Sequence, residues 1–176
     1  MKKVNNIEYI IPIKGLSIGK HHYNFTIGNS FFEEYEKSEI FGANLEIELT
    51  LDKQATFIDV KGGFKGTVIT ECDRCLGELE LEIDFMASLL VRFGKIDPEE
   101  EIGGEEVLFL DPSESELDLR QFFYDYICLA LPIQRVHKEE ECDPEILEKL
   151  KSHALVSEQK IEIKESPFDK LKTLMN

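Results

Sequence analysis

The sequence predicts an α+β fold, in which an antiparallel β-sheet meander packs against one main amphipathic helix. Short helices are expected near the N-terminal region and at the C-terminus. Three observations lead to this prediction. Long segments of the first half alternate apolar and polar residues, which is typical of strands with one buried face. Turn-forming residues separate these segments. Residues 118–130 then repeat apolar side chains at helical spacing, and such a stripe can cover a sheet.

The first elements come before the main sheet. Glu8–Lys14 and His21–Ile27 predict a hairpin around the turn Gly15–Gly19. Ser30 and Glu33 have the spacing of a capping box, so a short helix is expected to begin at Ser30.

The central meander follows. Asn44–Leu51 is the clearest strand, because its apolar residues fall on one face: Leu45, Ile47, Leu49 and Leu51. A second strand is expected to end near Lys61, where Gly62–Gly63 predicts a turn. A further strand is expected on each side of a pair of cysteines, at Gly66–Thr70 and at Leu79–Phe93.

The main helix follows the meander. One more edge strand is expected at Val107–Leu110, and Asp118 is expected to cap the main helix. The apolar stripe of this helix consists of Leu119, Phe122, Phe123, Tyr126, Ile127 and Ala130. Pro132 ends it, and Cys128 beside the stripe is interpreted as a packing residue.

Two charged helices complete the chain. Asp143 and Pro144 are expected to begin one that runs to about Leu150. Ser166 and Pro167 begin a short amphipathic one near the end. We therefore predict a single α+β domain over residues 1–135 and a charged helical tail over residues 136–176, which can pack on the domain.

Cys72 and Cys75 are expected at the tip of a hairpin. Two intervening residues allow both sulfurs to point to one side of a tight turn, and Gly77 is expected to supply a positive φ. This arrangement is half of a zinc site. A redox role fits less well, because thioredoxin-type motifs begin a helix whereas Leu76–Phe85 has the pattern of a strand.

His137 and Cys142 are the candidate second half of this site. Their spacing lies within the range of structural zinc sites, so Cys72, Cys75, His137 and Cys142 could form a closed site of three sulfurs and one nitrogen. The alternative is that His137 and Cys142 are ordinary surface residues of a charged segment. Zinc is therefore a candidate cofactor and no other cofactor is expected.

The charge of the chain limits its partners. There are 36 acidic and 20 basic residues, which give a net charge of −16. Ten of the acidic residues lie between Asp97 and Asp118, without a Lys or Arg. This composition does not favour direct RNA binding, whereas it attracts basic proteins. No apolar segment is long enough to span a membrane and no secretory signal is evident, so a cytoplasmic protein is expected.

The sharper catalytic signatures are missing from the sequence. There is no Gly-rich phosphate loop, no Gly-x-Ser-x-Gly elbow and no His-Glu-x-x-His helix. No catalytic residue is therefore assigned, and a non-enzymatic role is favoured.

Three segments together resemble the YceD-like family, the large ribosomal RNA subunit accumulation proteins. They are Cys72-Asp73-Arg74-Cys75-Leu76 at the end of a strand, Leu129–Ile133 with His137 shortly after, and the terminal Phe168–Leu174. Of these, the Cys-Asp-Arg-Cys-Leu element is the specific one. The chain departs from the family's pattern after the main helix, where many members carry a second cysteine cluster.

The resemblance implies a ribosome-biogenesis accessory factor needed for large-subunit rRNA accumulation or processing. Its expected partner is a large-subunit ribosomal protein or a pre-ribosomal particle, contacted through the candidate binding residues Asp73, Arg74 and Leu76. Two alternatives remain, namely a thiol- or metal-dependent hydrolase acting on RNA and a structural adaptor stapled by zinc.

Overall fold

A five-stranded β-sheet forms most of the first of two compact units, which divide between Val136 and His137. The computed structural model describes residues 9–94 and 107–157. The elements of the first unit are β1 (Ile10–Pro12), β2 (Gly19–Gly28), α1 (Asn29–Phe32), β3 (Gly42–Lys53), β4 (Phe57–Glu71), β5 (Glu78–Phe93), β6 (Val107–Leu110), β7 (Glu116–Asp118) and α2 (Arg120–Ala130). The second unit contains a 3₁₀ turn (Glu139–Glu141) and α3 (Pro144–Ser157).

The strand order of the main sheet is β2-β3-β4-β5-β6. The first three pairs are antiparallel, whereas β5 and β6 pair in parallel from Leu90–Val107 to Phe93–Leu110. A parallel neighbour requires a crossover connection, and the thirteen residues between Phe93 and Val107 provide that length. The sheet is therefore mixed.

The predicted fold class is wrong. The sheet is not purely antiparallel, and no single main amphipathic helix covers it in the described part of the chain, where strand residues predominate. Helix α2 has only 11 residues and α3 has 14. The physical reasons are that β6 reaches β5 by a crossover and pairs with it in parallel, and that β4 continues as a strand of 15 residues through Gly62–Gly63, where the sequence predicted a turn.

Gly62 and Gly63 illustrate this error, because β4 passes through both without turning. A Cβ atom on Gly62 would lie 3.2 Å from Leu49 Cδ1 and 3.0 Å from the ring of Phe64. Gly62 thus leaves room for two core side chains inside a continuous strand.

The predicted N-terminal hairpin is also wrong. Strand β1 pairs with β7 through Ile11 and Leu117, which are both buried, whereas β2 pairs with β3. Strand β1 gains a distant partner because its apolar face belongs to the core formed with α2. Pairing of this kind leaves no local signal in the sequence.

One face of the sheet carries the core. Leu45, Ile47, Leu49 and Leu51 are buried as predicted, opposite buried residues of β4 such as Val60 and Phe64. Helix α2 contributes Phe122, Phe123 and Ile127 to the same core, and Cys128 packs partly against it. The packing role predicted for Cys128 is confirmed.

The helix starts differ in part from the predictions. Helix α1 begins at Asn29 without a side-chain cap, so the Ser30 capping box is wrong. Helix α2 begins at Arg120, whose backbone N–H donates to Asp118 Oδ1 at 3.0 Å. The Asp143 cap is confirmed, because its Oδ1 accepts from the Glu145 N–H at 2.9 Å, although α3 extends beyond Leu150.

No helix in the described residues is long and apolar enough to cross a membrane. The predicted terminal helix that begins at Ser166 lies outside the described residues, as do residues 97–106 of the acidic segment 97–118.

Candidate metal centre

The β4–β5 hairpin ends in a tight turn that carries two cysteines. Glu71 and Glu78 form the last strand pair, and the Cys72 N–H donates to the Gly77 carbonyl at 2.8 Å. The Leu76 N–H donates back to the Cys72 carbonyl at 2.9 Å. Cys72 and Cys75 are both buried. We call residues 72–77 the knuckle.

The positive φ of the knuckle falls on Leu76, at +58°, and not on Gly77 as the sequence suggested. Glycine adopts this left-handed region at no steric cost, whereas a leucine is strained there. The Leu76 side chain is 70% exposed, so it gains little burial in return.

A backbone clip holds the knuckle against the segment that follows α2. The Asp73 N–H donates to the Arg135 carbonyl at 2.7 Å, and the Arg135 N–H donates to Asp73 Oδ2 at 2.7 Å. The Asp73 carboxylate therefore has a structural partner. The clip also fixes Arg135 at a point two residues before His137.

The Arg135 side chain strengthens this clip and was missed at the sequence level. Its guanidinium donates to Glu39 Oε2 at 2.7 Å, to Asp73 Oδ1 at 3.3 Å and to Thr70 Oγ1 at 3.5 Å. The Glu39 carboxylate is the main cause of a raised Arg135 pKa. No motif marks Arg135, since its three partners are 62 to 96 residues away in sequence.

His137 and Cys142 form the second pair of candidate ligands. The His137 Nδ1 and Cys142 Sγ atoms are 3.9 Å apart. Cys142 is buried and His137 is half-buried, so neither is the fully exposed surface residue of the alternative interpretation. The 3₁₀ turn Glu139–Glu141 brings the two side chains together.

Cys72 and Cys75 belong to the first unit, and His137 and Cys142 belong to the second. Each pair offers two ligand atoms of the kinds that zinc prefers. In a tetrahedral zinc site, bonds of about 2.3 Å place two sulfurs roughly 3.8 Å apart, and a sulfur and a nitrogen roughly 3.6 Å apart. The 3.9 Å between His137 Nδ1 and Cys142 Sγ exceeds the second value by about 0.3 Å. A donor set of three sulfurs and one nitrogen also matches the composition that structural zinc sites use. The chemistry of the two ligand pairs therefore fits Zn²⁺.

The three candidate binding residues differ in their surroundings. Asp73 is held by the clip, and Arg74 is half-buried. Leu76 presents most of its side chain to solvent.

Comparison with known proteins gave one match. A family model described as large ribosomal RNA subunit accumulation protein YceD matches residues 60–175, which include both pairs of candidate ligands. No curated protein and no solved structure matches the chain. Since the matched segment covers well over half of the sequence, the chain belongs to the YceD family of large ribosomal RNA subunit accumulation proteins.

Proposed function

We propose that this protein is a non-enzymatic, cytoplasmic accessory factor that supports large-subunit rRNA accumulation or processing mainly through contacts with ribosomal proteins. Family membership is the observation that carries the rRNA role, and the family's name links the chain with the large subunit or its precursors.

The net charge of −16 supports contacts with proteins more than contacts with RNA. Phosphate groups are repelled by such a surface, whereas large-subunit ribosomal proteins are basic as a class. Complementary charge would speed their association and would shield them until they reach the particle.

The second part of the proposal is a structural Zn²⁺ held by Cys72, Cys75, His137 and Cys142. Bound zinc would supply a fixed tetrahedral crosslink, and no reaction step is assigned to it. The donor set of three sulfurs and one nitrogen supports a structural role, because all four ligands come from the protein and none is left for a substrate. The protein's own residues would position the knuckle and keep its shape.

Burial of the cysteines argues against the hydrolase alternative. A thiol nucleophile must be a thiolate that reaches its substrate, yet Cys72 is 0% and Cys75 is 3% exposed. The adaptor role needs no such access.

Co-purification tests the proposed function. Tagged protein is recovered from cells, and bound proteins and RNA are identified in parallel before and after RNase treatment. We expect RNase-resistant recovery of large-subunit ribosomal proteins. Recovery that depends wholly on intact RNA would contradict the role assigned to protein contacts.

A further inference from the structure

Two large apolar side chains are exposed at the knuckle, one within it and one next to it. Phe41 is 56% and Leu76 is 70% exposed, and both line a surface depression of about 300 Å³. Its rim also contains Glu39, Glu71, Asp73 and Arg135. We call these six residues the knuckle groove. Unlike an isolated surface leucine, they combine apolar contact area with a concave shape and charge.

A leucine is unfavourable at position 76 for two reasons. Its φ of +58° is unfavourable for a side chain with a Cβ, and its apolar surface faces water. A glycine at position 76 would avoid both costs while keeping the turn. Backbone strain of this kind concentrates at functional positions, which indicates that the Leu76 side chain is presented for contact.

The charge of the groove selects the partner. Arg135 is already engaged by Glu39 and Asp73, and Glu71 forms no ion pair with the described residues. Three carboxylates against one guanidinium leave the rim negative, so it attracts Lys and Arg and repels phosphate.

We infer that the knuckle groove docks a basic segment of a large-subunit ribosomal protein, which places one large apolar side chain against Phe41 and Leu76 and a Lys or Arg against Glu71. This inference rests on the proposed function, because that function supplies the class of partner. In protein interfaces a few well-packed anchor residues carry most of the affinity.

The test uses Leu76→Gly and Phe41→Ser, with Met86→Ser as the matched control. Met86 is 74% exposed but lies opposite Gly63 in the middle of β5, and it does not line the groove. Each variant and the wild type are titrated against individually purified large-subunit ribosomal proteins and against naked large-subunit rRNA, and their melting temperatures are recorded.

We expect Leu76→Gly and Phe41→Ser to weaken binding of at least one protein by about tenfold or more, while Met86→Ser binds like the wild type. Leu76→Gly should melt no lower than the wild type, so that weaker binding cannot come from unfolding. Undiminished protein binding by both groove variants would overturn the inference, as would losses confined to rRNA. Failure of the wild type to bind any of the proteins would instead reject the proposed function.

Discussion

Replacement of Arg135 by methionine tests how the knuckle is held. The substitution keeps the backbone clip with Asp73 but removes the guanidinium from Glu39, Asp73 and Thr70. The Glu39 side chain is 72% exposed and the Asp73 side chain is 37% exposed, so together the two ion pairs contribute about 1 kcal/mol. The hydrogen bond to the Thr70 hydroxyl contributes more, because Thr70 is only 1% exposed and water cannot replace the guanidinium. A buried hydroxyl that loses its hydrogen-bond partner costs about 1–3 kcal/mol. Because the Arg135–Thr70 hydrogen bond is long, at 3.5 Å, we take the lower end of the summed range and expect Arg135→Met to lower the free energy of unfolding by about 2 kcal/mol.

Urea denaturation of the variants measures this loss, with Arg120→Met as the matched control. The Arg120 guanidinium pairs with the partly exposed Asp118 carboxylate, and the Tyr35 hydroxyl donates only to the Arg120 backbone carbonyl, which the substitution keeps. Replacement of Arg120 should therefore cost less than about 1 kcal/mol. Adding Thr70→Val to Arg135→Met removes the hydroxyl that has lost its partner, and should restore about 1 kcal/mol of the free energy of unfolding. The reasoning is refuted if Arg135→Met costs no more than Arg120→Met, or if Thr70→Val restores nothing.

Three further predictions concern metal, pH and charge. Protein purified under reducing conditions without chelator should contain about one equivalent of zinc by elemental analysis and should melt at lower temperature after chelation, because the proposed site binds one ion through four protein ligands. Metal-free protein of equal stability would reject the proposed site. Burial raises the Tyr35 pKa to about 12, so the folded state retains a proton that the unfolded state loses and stability should fall as pH rises from about 10 to 12. Tyr35→Phe should flatten this decline in urea unfolding measured between those pH values, and an unchanged slope would contradict the assignment. Another prediction concerns the replacement by Gln of five acidic residues, Glu99, Glu100, Glu101, Glu105 and Glu106. This change should slow binding of basic ribosomal proteins at low salt and have little effect above about 0.1 M salt, where screening limits charge interactions to roughly 10 Å. Equal association rates of the wild type and the variant at every salt concentration would mean that the segment is only a solubilising surface.

Local patterns predicted the strands whose partners follow directly in the chain. The alternation at Leu45–Leu51 identified β3, and the cysteine spacing identified the hairpin tip. Each of these features depends on neighbouring residues, so the sequence contains the whole signal.

Features that depend on distant residues could not be predicted in this way. The pairing of Ile11 with Leu117 and the parallel pairing of β6 are chosen by the packed core. Gly62–Gly63 resembles a turn until the neighbouring Leu49 and Phe64 side chains are in place. Arg135 becomes recognisable only when Glu39, Thr70 and Asp73 surround it. At the candidate metal centre, the ligand types were readable whereas the strained Leu76 was not.

The ratio of large-subunit to small-subunit rRNA in cells lacking this protein tests the central claim most directly. We predict that the ratio falls, that wild-type protein restores it, and that Cys72→Ser/Cys75→Ser protein restores it only to the extent that it stays folded. An unchanged ratio in cells without the protein would contradict the claim that it supports large-subunit rRNA accumulation.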